Sequence, residues 1–311
     1  MRAFIFPGQG SQSVGMGKAL AEASPVARAV FQEVDEALGQ HLSRLMFEGP
    51  GEELQLTANA QPAIMANAIA TLRVLEKEGG LRLADKADYV AGHSLGEYSA
   101  LCAAGALDLA TTALLLRHRG EAMQAAVPVG QGGMAALLGA DLATAQKIAD
   151  AAAQGEVCTV ANDNDPSQVV ISGAKAAIDR AIELAKEYGA KRAIALPVSA
   201  PFHCPMMQPA ADAMDKALAD ARIDTPLVPV FANVTAQPAS DVDTIRKLLV
   251  EQVTGMVRWR ESVLNMADTG VEHFIEFGGK VLAPMVKRIA PDVDAVSVIS
   301  MEDIEALAKS F

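Results

Sequence analysis

The sequence is poor in cysteine and in positive charge. Its three cysteines, Cys102, Cys158 and Cys204, are odd in number and far apart, which argues against a framework of disulfide bonds. No spacing of cysteine and histidine is typical of a zinc site, so we expect no metal. Lysine and arginine total 26 against 38 aspartates and glutamates, a net charge of −12. So acidic a chain lacks the basic surface that binds nucleic acids or anionic membranes, and we expect neither as a partner.

Long hydrophobic runs are absent as well. No stretch approaches the roughly 18 uninterrupted apolar residues that would indicate a transmembrane helix. The opening segment, MRAFIFPGQG, has too short an apolar run for a secretory signal. Hydrophobic residues still make up 51% of the 311 residues, enough to bury a large core. We therefore expect a globular, cytoplasmic protein of about two domains, and nothing in the sequence implies an obligate oligomer.

The N-terminal part alternates short apolar runs with helical patterns. Apolar runs at residues 3–6 and 87–91 predict buried strands, and each ends at a glycine- or proline-containing break. Helical patterns cover residues 14–38 and 61–78, and another begins at Glu97. Buried strands followed by helices are typical of the α/β class, which is the fold class that we predict.

A different order of elements follows in the middle of the chain. The patterns predict the order β-α-β-β-α-β, which is the ferredoxin-like unit. The expected strands are 134–138, 157–161, 168–172 and 192–198, the expected helices are 141–153 and 174–188 with Asp141 near the first N-cap, and the polar residues 162–166 are expected to form a turn. We therefore predict a small inserted domain at 128–199, with 1–127 and 200–311 forming the main domain.

A nucleophile motif lies between the second predicted strand and the next helix. Gly92-His93-Ser94-Leu95-Gly96 fits G-x-S-x-G, in which a sharp turn exposes the serine hydroxyl. The N-terminus of the following helix favours developing negative charge. The Leu95 amide, next after the serine, can donate to an oxyanion. The motif predicts Ser94 as a nucleophile; the alternative is a tight turn with a capping serine.

A serine nucleophile needs a base, and the chain offers five histidines, His41, His93, His118, His203 and His273. His203 follows a predicted strand, in the loop Ser199 to Pro205, and such loops often carry functional residues. His93 adjoins the serine, and neighbours on such a turn point apart. We therefore favour His203 as the base, although a structural role stays open. No acid between Ser94 and His203 stands out as the third member of a triad.

Several segments together resemble one family. Pro7-Gly8-Gln9-Gly10-Ser11-Gln12, the segment GHSLGEYS at 92–99, Arg119-Gly120 and Pro201-Phe202-His203 occur in the order found in malonyl-CoA:acyl-carrier-protein transacylases, and so do Gln61-Pro62 and residues 278–282. The resemblance covers nearly the whole chain. It implies a hydrolase-like parallel-sheet α/β core that carries an inserted ferredoxin-like (βαββαβ) subdomain.

The resemblance also implies roles for five residues. Ser94 would be the acylated nucleophile and His203 its base. A backbone carbonyl at Gln252 would orient the histidine in place of a carboxylate, which would explain why no triad acid stands out. The backbone amides of Gln9 and Leu95 would form the oxyanion hole.

Further residues would bind the substrate. Arg119 would bind the free carboxylate of a malonyl group through two parallel hydrogen bonds, and Arg117 should face elsewhere on the helix. Phe202 resembles the residue that accompanies a preference for malonyl over methylmalonyl groups. Asn162 and Asn164 lie where family members contact coenzyme A, although Asn-Asp runs are often simple turns.

The implied activity is transfer of a malonyl group from malonyl-CoA to the phosphopantetheine thiol of acyl carrier protein, through a malonyl-serine, to supply fatty acid elongation. Transfer between thioesters needs no cofactor. Because both the family's carrier and this chain are acidic, docking needs a local basic patch, for which the candidates are Lys191, Arg192, Lys280, Lys287 and Arg288.

Three other functions stay open. A thioesterase or esterase would share the serine and the histidine but use water as the acceptor. A non-enzymatic module that binds carrier proteins could keep the fold without the chemistry. A transacylase of polyketide or malonate metabolism would differ only in its carrier.

Overall fold

The computed structural model describes all 311 residues, in two sheets flanked by helices. The larger sheet has the order β10-β9-β1-β2-β7-β8, and every neighbouring pair is parallel except β7 and β8. Its strands are β1 Arg2–Phe6, β2 Tyr89–Gly92, β7 Val230–Phe231, β8 Pro238–Ala239, β9 His273–Phe277 and β10 Asp294–Val298. The predicted α/β class, with a mostly parallel core sheet, is confirmed.

Helices cover both faces of this sheet. In chain order they are α1 Lys18–Ala23, α2 Pro25–Leu38, α3 Leu42–Glu48, α4 Gly51–Gln55, α5 Thr57–Glu78, α6 Leu83–Lys86, α7 Gly96–Ala103, α8 Leu109–Ala125, α11 Gln208–Asp220, α12 Val242–Thr254, α13 Trp259–Asp268, α14 Leu282–Ile289 and α15 Met301–Ser310, with a 3₁₀ turn at Pro205–Met207. Helix α5 is buried along most of its length between α2 and α8. A helix that is apolar nearly all round belongs inside a core, and α5 forms the centre of this one.

The smaller sheet is antiparallel and has the order β4-β5-β3-β6. Its elements are β3 Gly132–Leu138, α9 Leu142–Ala153, β4 Cys158–Asp165, β5 Gln168–Ala174, α10 Lys175–Leu184 and β6 Arg192–Ala195. They follow the predicted β-α-β-β-α-β order and enclose a separate hydrophobic core. The side chain of Asp141 accepts a hydrogen bond from the Thr144 amide, so the predicted N-cap is confirmed.

The predicted turn at residues 162–166 is wrong. Residues 162–165 continue β4, and the chain reverses only at Pro166 and Ser167. The polar residues stay extended because β4 pairs with β5 on one side and with Val257 of the main body on the other. Two register shifts in the β4–β5 pairing accommodate this double contact. At residues 162–165, long-range strand pairing therefore outweighs the local preference of asparagine and aspartate for turns.

Two ion pairs join β4 to the main body. Asp163 contacts Arg260 of α13 at 2.9 Å, and Asp165 contacts Arg288 of α14 at 2.8 Å. The amide of Asp163 also donates to the carbonyl of Val257 at 3.0 Å. Both carboxylates are buried, so each needs its arginine. These contacts form a seam between the two sheets; the domain boundaries at 127/128 and 199/200 stay predictions.

No helix combines the length and the apolar character needed to cross a membrane. Histidine, cysteine, aspartate and glutamate side chains form no cluster that could hold a metal ion. The three cysteines are buried free thiols.

Candidate active site

Ser94 lies on a sharp turn between β2 and α7. Its φ angle is +53°, in the left-handed region that non-glycine residues rarely adopt. Both flanking glycines are required sterically, because a Cβ atom on Gly92 would lie 1.9 Å from the carbonyl carbon of Gly96, and one on Gly96 would lie 2.2 Å from the carbonyl oxygen of Phe6. This is the strand–turn–helix geometry that the G-x-S-x-G motif predicts.

Ser94 is hydrogen-bonded to His203. The Ser94 Oγ and His203 Nε2 atoms are 2.7 Å apart, and His203 Nδ1 lies 2.8 Å from the backbone oxygen of Gln252. Because a carbonyl oxygen can only accept, Nδ1 carries the proton and Nε2 is left to accept from the serine hydroxyl. Burial, and next the positive charge of Arg119, lower the pKa of His203 to about 3. The imidazole is therefore neutral at physiological pH.

The backbone amides of Gln9 and Leu95 have no acceptor within the protein. Leu95 directly precedes α7, so its amide belongs to the unpaired N–H groups at the start of that helix. The side chain of Gln9 is held by Thr57, whose hydroxyl donates to Gln9 Oε1 at 2.8 Å. Both residues line the same cavity as Ser94. Two backbone N–H groups without acceptors, placed beside a serine hydroxyl, can donate hydrogen bonds to an oxyanion that forms there.

Arg119 is buried with its guanidinium beside the nucleophile. Its Nη2 atom donates to Ser94 Oγ at 3.1 Å and to Gln252 Oε1 at 2.8 Å, and Nη1 donates to Gln61 Oε1 at 2.8 Å. No carboxylate forms a salt bridge with it, and its Nε has no hydrogen-bond partner. Burial lowers the pKa of Arg119. As predicted, Arg117 faces elsewhere, donating to Asn59 at 2.7 Å.

The roles of three buried residues in this network were not predicted from the sequence. Glu97 accepts a hydrogen bond from Gln252 Nε2 at 2.6 Å, and burial raises the pKa of its carboxyl to about 7. Asn233 accepts from the Ser94 amide at 2.8 Å and donates to Gly92 O. Gln61 holds Arg119. Glu97 and Gln61 lie within segments that carried the family resemblance, whereas nothing in the sequence pointed to Asn233.

The asparagines of β4 lie at the rim of the site. Asn162 lines the cavity, and Asn164 Oδ1 accepts a hydrogen bond from His93 Nε2 at 2.7 Å. Burial lowers the pKa of His93, which favours its neutral form. His93 thus points to the small sheet, whereas Ser94 points to His203, in agreement with the expectation that neighbours on this turn diverge.

The site opens into a cavity of about 230 Å³. Its walls combine the polar groups described above with apolar side chains, the latter being Leu95, Met123, Met134, Leu196, Pro197, Val198 and Phe202. This mixture suits a small acyl group on a longer carrier. The remaining histidines, His41, His118 and His273, are exposed and lie outside the site.

Two of the five basic residues proposed for docking have internal partners. Arg288 pairs with Asp165, and Lys287 donates to the backbone oxygens of Pro291 and Val293. Their positive charge is therefore partly used within the protein. Lys191, Arg192 and Lys280 are exposed and form no ion pair.

Comparison with known proteins places the chain in a family. Residues 3–286 match the model of the acyl transferase domain. The chain is 47% identical over 305 residues to the malonyl CoA-acyl carrier protein transacylase of Bacillus subtilis, covering 97% of this chain and 95% of the relative. It is 45% identical to the Escherichia coli (strain K12) protein of the same name over 307 residues, which cover 98% and 97% of the two chains.

Solved structures agree over the full length. The acyl-carrier-protein-S-malonyltransferase of Bartonella henselae superposes with a TM-score of 0.97 at 52% identity, covering 99% of this chain and 98% of that one. A malonyl-transacylase in complex with its type II polyketide-synthase acyl carrier protein gives a TM-score of 0.96 at 39% identity, with 100% and 99% coverage. With its serine, histidine and buried arginine in one cavity, the chain belongs to the acyl transferase family and, within it, to the malonyl CoA-acyl carrier protein transacylases.

Proposed function

We propose that the protein transfers a malonyl group from malonyl-CoA to the phosphopantetheine thiol of acyl carrier protein, by way of a malonyl-Ser94 intermediate. One observation carries the proposal: the buried guanidinium of Arg119 lies 3.1 Å from Ser94 Oγ and has no carboxylate partner in the protein. An unpaired buried cation beside a nucleophile favours an acyl group that brings its own carboxylate. The names of the relatives support the same substrate.

In the first half-reaction, His203 Nε2 takes the proton of the Ser94 hydroxyl while Oγ attacks the thioester carbon. The amides of Gln9 and Leu95 stabilise the oxyanion that forms. The carbon–sulfur bond then breaks, His203 returns the proton to the sulfur, and coenzyme A leaves as its thiol. A malonyl ester of Ser94 remains.

The low pKa of His203 fits this sequence of events. Arg119 is the second cause of that low pKa, after burial. When the malonyl carboxylate binds Arg119, it cancels much of that positive charge and raises the basicity of the imidazole. The bound substrate thus makes His203 a better base at the moment when the base is needed.

In the second half-reaction, the carrier's phosphopantetheine thiol attacks the ester. His203 takes the thiol proton and passes it to the departing serine oxygen, which restores the free enzyme. Because the acyl donor and the acceptor thiol react in turn at one site through a covalent intermediate, ping-pong kinetics are expected. A hydrolase would need water at this step. The backbone carbonyl of Gln252 behind His203 replaces the carboxylate that such enzymes place there.

Secondary contacts complete the proposal. Asn162 and Asn164 would contact the coenzyme A portion, since Asn162 lines the cavity and Asn164 lies behind His93. Phe202, which also lines the cavity, would crowd a methyl group on the malonyl carbon. Such a group is worth only about 1–3 kcal/mol, so the preference would be partial. We propose a cytoplasmic role in fatty acid elongation.

Intact-protein mass spectrometry after brief mixing with malonyl-CoA tests the function. A single malonyl adduct on the wild type, absent from Ser94→Ala and discharged by carrier-protein thiol, is the expected result. Rapid release of coenzyme A without an adduct would instead show a hydrolase. No adduct and no release would contradict both, and would favour a carrier-binding module. Comparing fatty-acid and polyketide carriers as acceptors separates the two metabolic roles.

A further inference from the structure

We infer that Gln61 is a specificity-determining residue, because it holds Arg119 through a neutral oxygen and so leaves the guanidinium charge for the substrate. The inference rests on the proposed function and names the residue that makes the site selective for acyl groups with a carboxylate. Gln61 lines the cavity, but we argue it as a positioning residue: its amide oxygen bonds to Arg119, and Arg119 is the group proposed to bind the acyl carboxylate.

The hydrogen bonds around Gln61 have only one consistent direction. Because a guanidinium only donates, the oxygen of the Gln61 amide must face Arg119 Nη1, at 2.8 Å. The amide nitrogen then faces Thr57 Oγ1, at 3.0 Å, and the Thr57 hydroxyl donates to Gln9 Oε1 at 2.8 Å. Thr57 and Gln61 are four residues apart on α5 and therefore share one face of the helix.

The hydrogen-bond partners of Arg119 are neutral, namely the amide oxygens of Gln61 and Gln252 and the hydroxyl of Ser94. The ring of Tyr98 lies 5.6 Å from the guanidinium carbon, and the Glu97 carboxyl acts on Arg119 through space without a salt bridge. The acidic member of the network, Glu97, bonds to Gln252, and burial raises the pKa of its carboxyl to about 7. A glutamate at position 61 has the same shape but would pair directly with the guanidinium. The charge that attracts the substrate carboxylate would then be neutralised within the protein.

The same contacts make Thr57 a matched control. The chain of hydrogen bonds from Arg119 through Gln61 and Thr57 ends at Gln9, whose amide is proposed to bind the oxyanion. An oxyanion forms with every acyl group, charged or not. Thr57→Val removes the hydroxyl and keeps the volume, while Gln61 keeps its bond to Arg119 and its contact with Met123 Sδ at 3.8 Å. The variant should therefore slow malonyl and acetyl transfer alike. Gln61→Glu should change their ratio.

The experiment measures the rate of acyl-Ser94 formation from malonyl-CoA and from acetyl-CoA by intact-protein mass spectrometry. These donors differ only in the carboxylate. For Gln61→Glu, we expect the malonyl-to-acetyl rate ratio to fall by about tenfold or more, with the acetyl rate changing little. For Gln61→Met, which removes the acceptor without adding charge, the ratio should fall about threefold. For Thr57→Val the ratio should equal that of the wild type.

Several results would overturn the inference. One is a wild-type ratio in Gln61→Glu, and another is an equal fall in Gln61→Glu and Thr57→Val. If Gln61→Glu fails to fold, as judged by circular dichroism, an unchanged ratio in a folded Gln61→Met protein overturns it. A wild-type protein that forms no malonyl adduct refutes the proposed function itself. A wild-type adduct with unchanged variant ratios refutes only the role of Gln61.

Discussion

At the residue scale, two of the four non-glycine residues with positive φ angles are the proposed nucleophile and base. Ser94 and His203 both have positive φ angles, +53° and +55°. Each such conformation costs a non-glycine residue about 1–3 kcal/mol, and the surrounding structure must supply that free energy. Asn233 contributes by bonding both to the Ser94 amide and to the Gly92 carbonyl. The hydroxyl and the imidazole are thus held 2.7 Å apart before any substrate binds.

The charge of Arg119 should matter for malonyl and not for acetyl groups. We expect Arg119→Ala to reduce acylation by malonyl-CoA by about 2–5 kcal/mol of transition-state stabilisation, since one partner of a buried charge pair is lost. Acylation by acetyl-CoA should fall far less. Arg117→Ala, two residues away on the same helix, serves as the control. If rapid-quench acylation assays show equal losses for both donors, the proposed role of Arg119 in binding the malonyl carboxylate is wrong.

The pKa of His203 predicts an unusual pH profile. An ordinary histidine, with a pKa near 6.5, would become protonated and inactive below that pH. Since the pKa of His203 is lowered to about 3, its active neutral form should persist as the pH falls. We expect the single-turnover acetyl-Ser94 rate to show no acid limb from this group between about pH 5 and pH 8. Because the carboxyl of Glu97, with its pKa raised to about 7, also titrates in this range, the profile is measured in Glu97→Gln as well. A limb near pH 6.5 that persists in this folded variant would contradict the low pKa of His203.

At the element scale, the functional groups come from the ends of a few helices and strands that meet at the cavity. The turn from β2 to α7 supplies Ser94, the proposed nucleophile, and the Leu95 amide. The first two turns of α5 supply Thr57 and Gln61, and the end of α12 supplies both the carbonyl and the side chain of Gln252. In β4, alternate residues face opposite ways: Asn162 and Asn164 face the site, and the aspartates between and after them face the main body.

The turn between β2 and α7 should tolerate no Cβ atom at Gly92. We expect Gly92→Ala to destabilise the protein by at least about 3 kcal/mol, because the clash is with backbone that cannot move independently. Gly51→Ala is the control, since its Cβ would meet only Val14, at 3.6 Å. Urea denaturation of both variants checks the difference. Similar midpoints for the two would show that the turn relaxes.

Sequence patterns predicted the helices and strands more accurately than they predicted the contacts between them. The strands before Ser94 and the β-α-β-β-α-β unit follow from local periodicity, which the structure confirms. The turn expected at 162–166 was wrong, because pairing with Val257 and two distant arginines keeps those residues extended. Glu97 and Asn233 were missed for a related reason. Apart from the bond between Asn233 and Gln252, the partners of their side chains lie more than a hundred residues away along the chain.

At the scale of the whole molecule, two ion pairs whose carboxylates are buried join the two sheets. The seam of Asp163 with Arg260 and Asp165 with Arg288 lies directly behind the asparagines that border the site. A buried pair adds little net stability over apolar contacts but is costly to break on one side only. The seam therefore holds the small sheet in one position over the cavity.

Removing one partner of an ion pair in the seam should reduce the unfolding free energy more than replacing both partners does. We expect Arg260→Met to cost about 2–4 kcal/mol of unfolding free energy, because it leaves the Asp163 carboxylate buried without a partner. The double variant with Asp163→Leu should recover part of the loss. Arg44→Met, which breaks an exposed pair with Glu48, should cost about 0–1 kcal/mol. Additive losses in this cycle, measured by urea denaturation, would contradict the coupling.

The sequence by itself determined the class of fold, the nucleophile motif and the candidate base. These depend on local periodicity, on glycines that permit one sharp turn, and on the order of short motifs along the chain. The resemblance implied that the Gln252 carbonyl orients His203, and in the structure that oxygen lies 2.8 Å from His203 Nδ1. Only the tertiary structure decided that neutral amides hold Arg119 and that Asp163 and Asp165 join the two sheets. The reason is physical: a hydrogen bond or an ion pair depends on distance in space and direction, and residues 25 to 158 positions apart meet here only after folding.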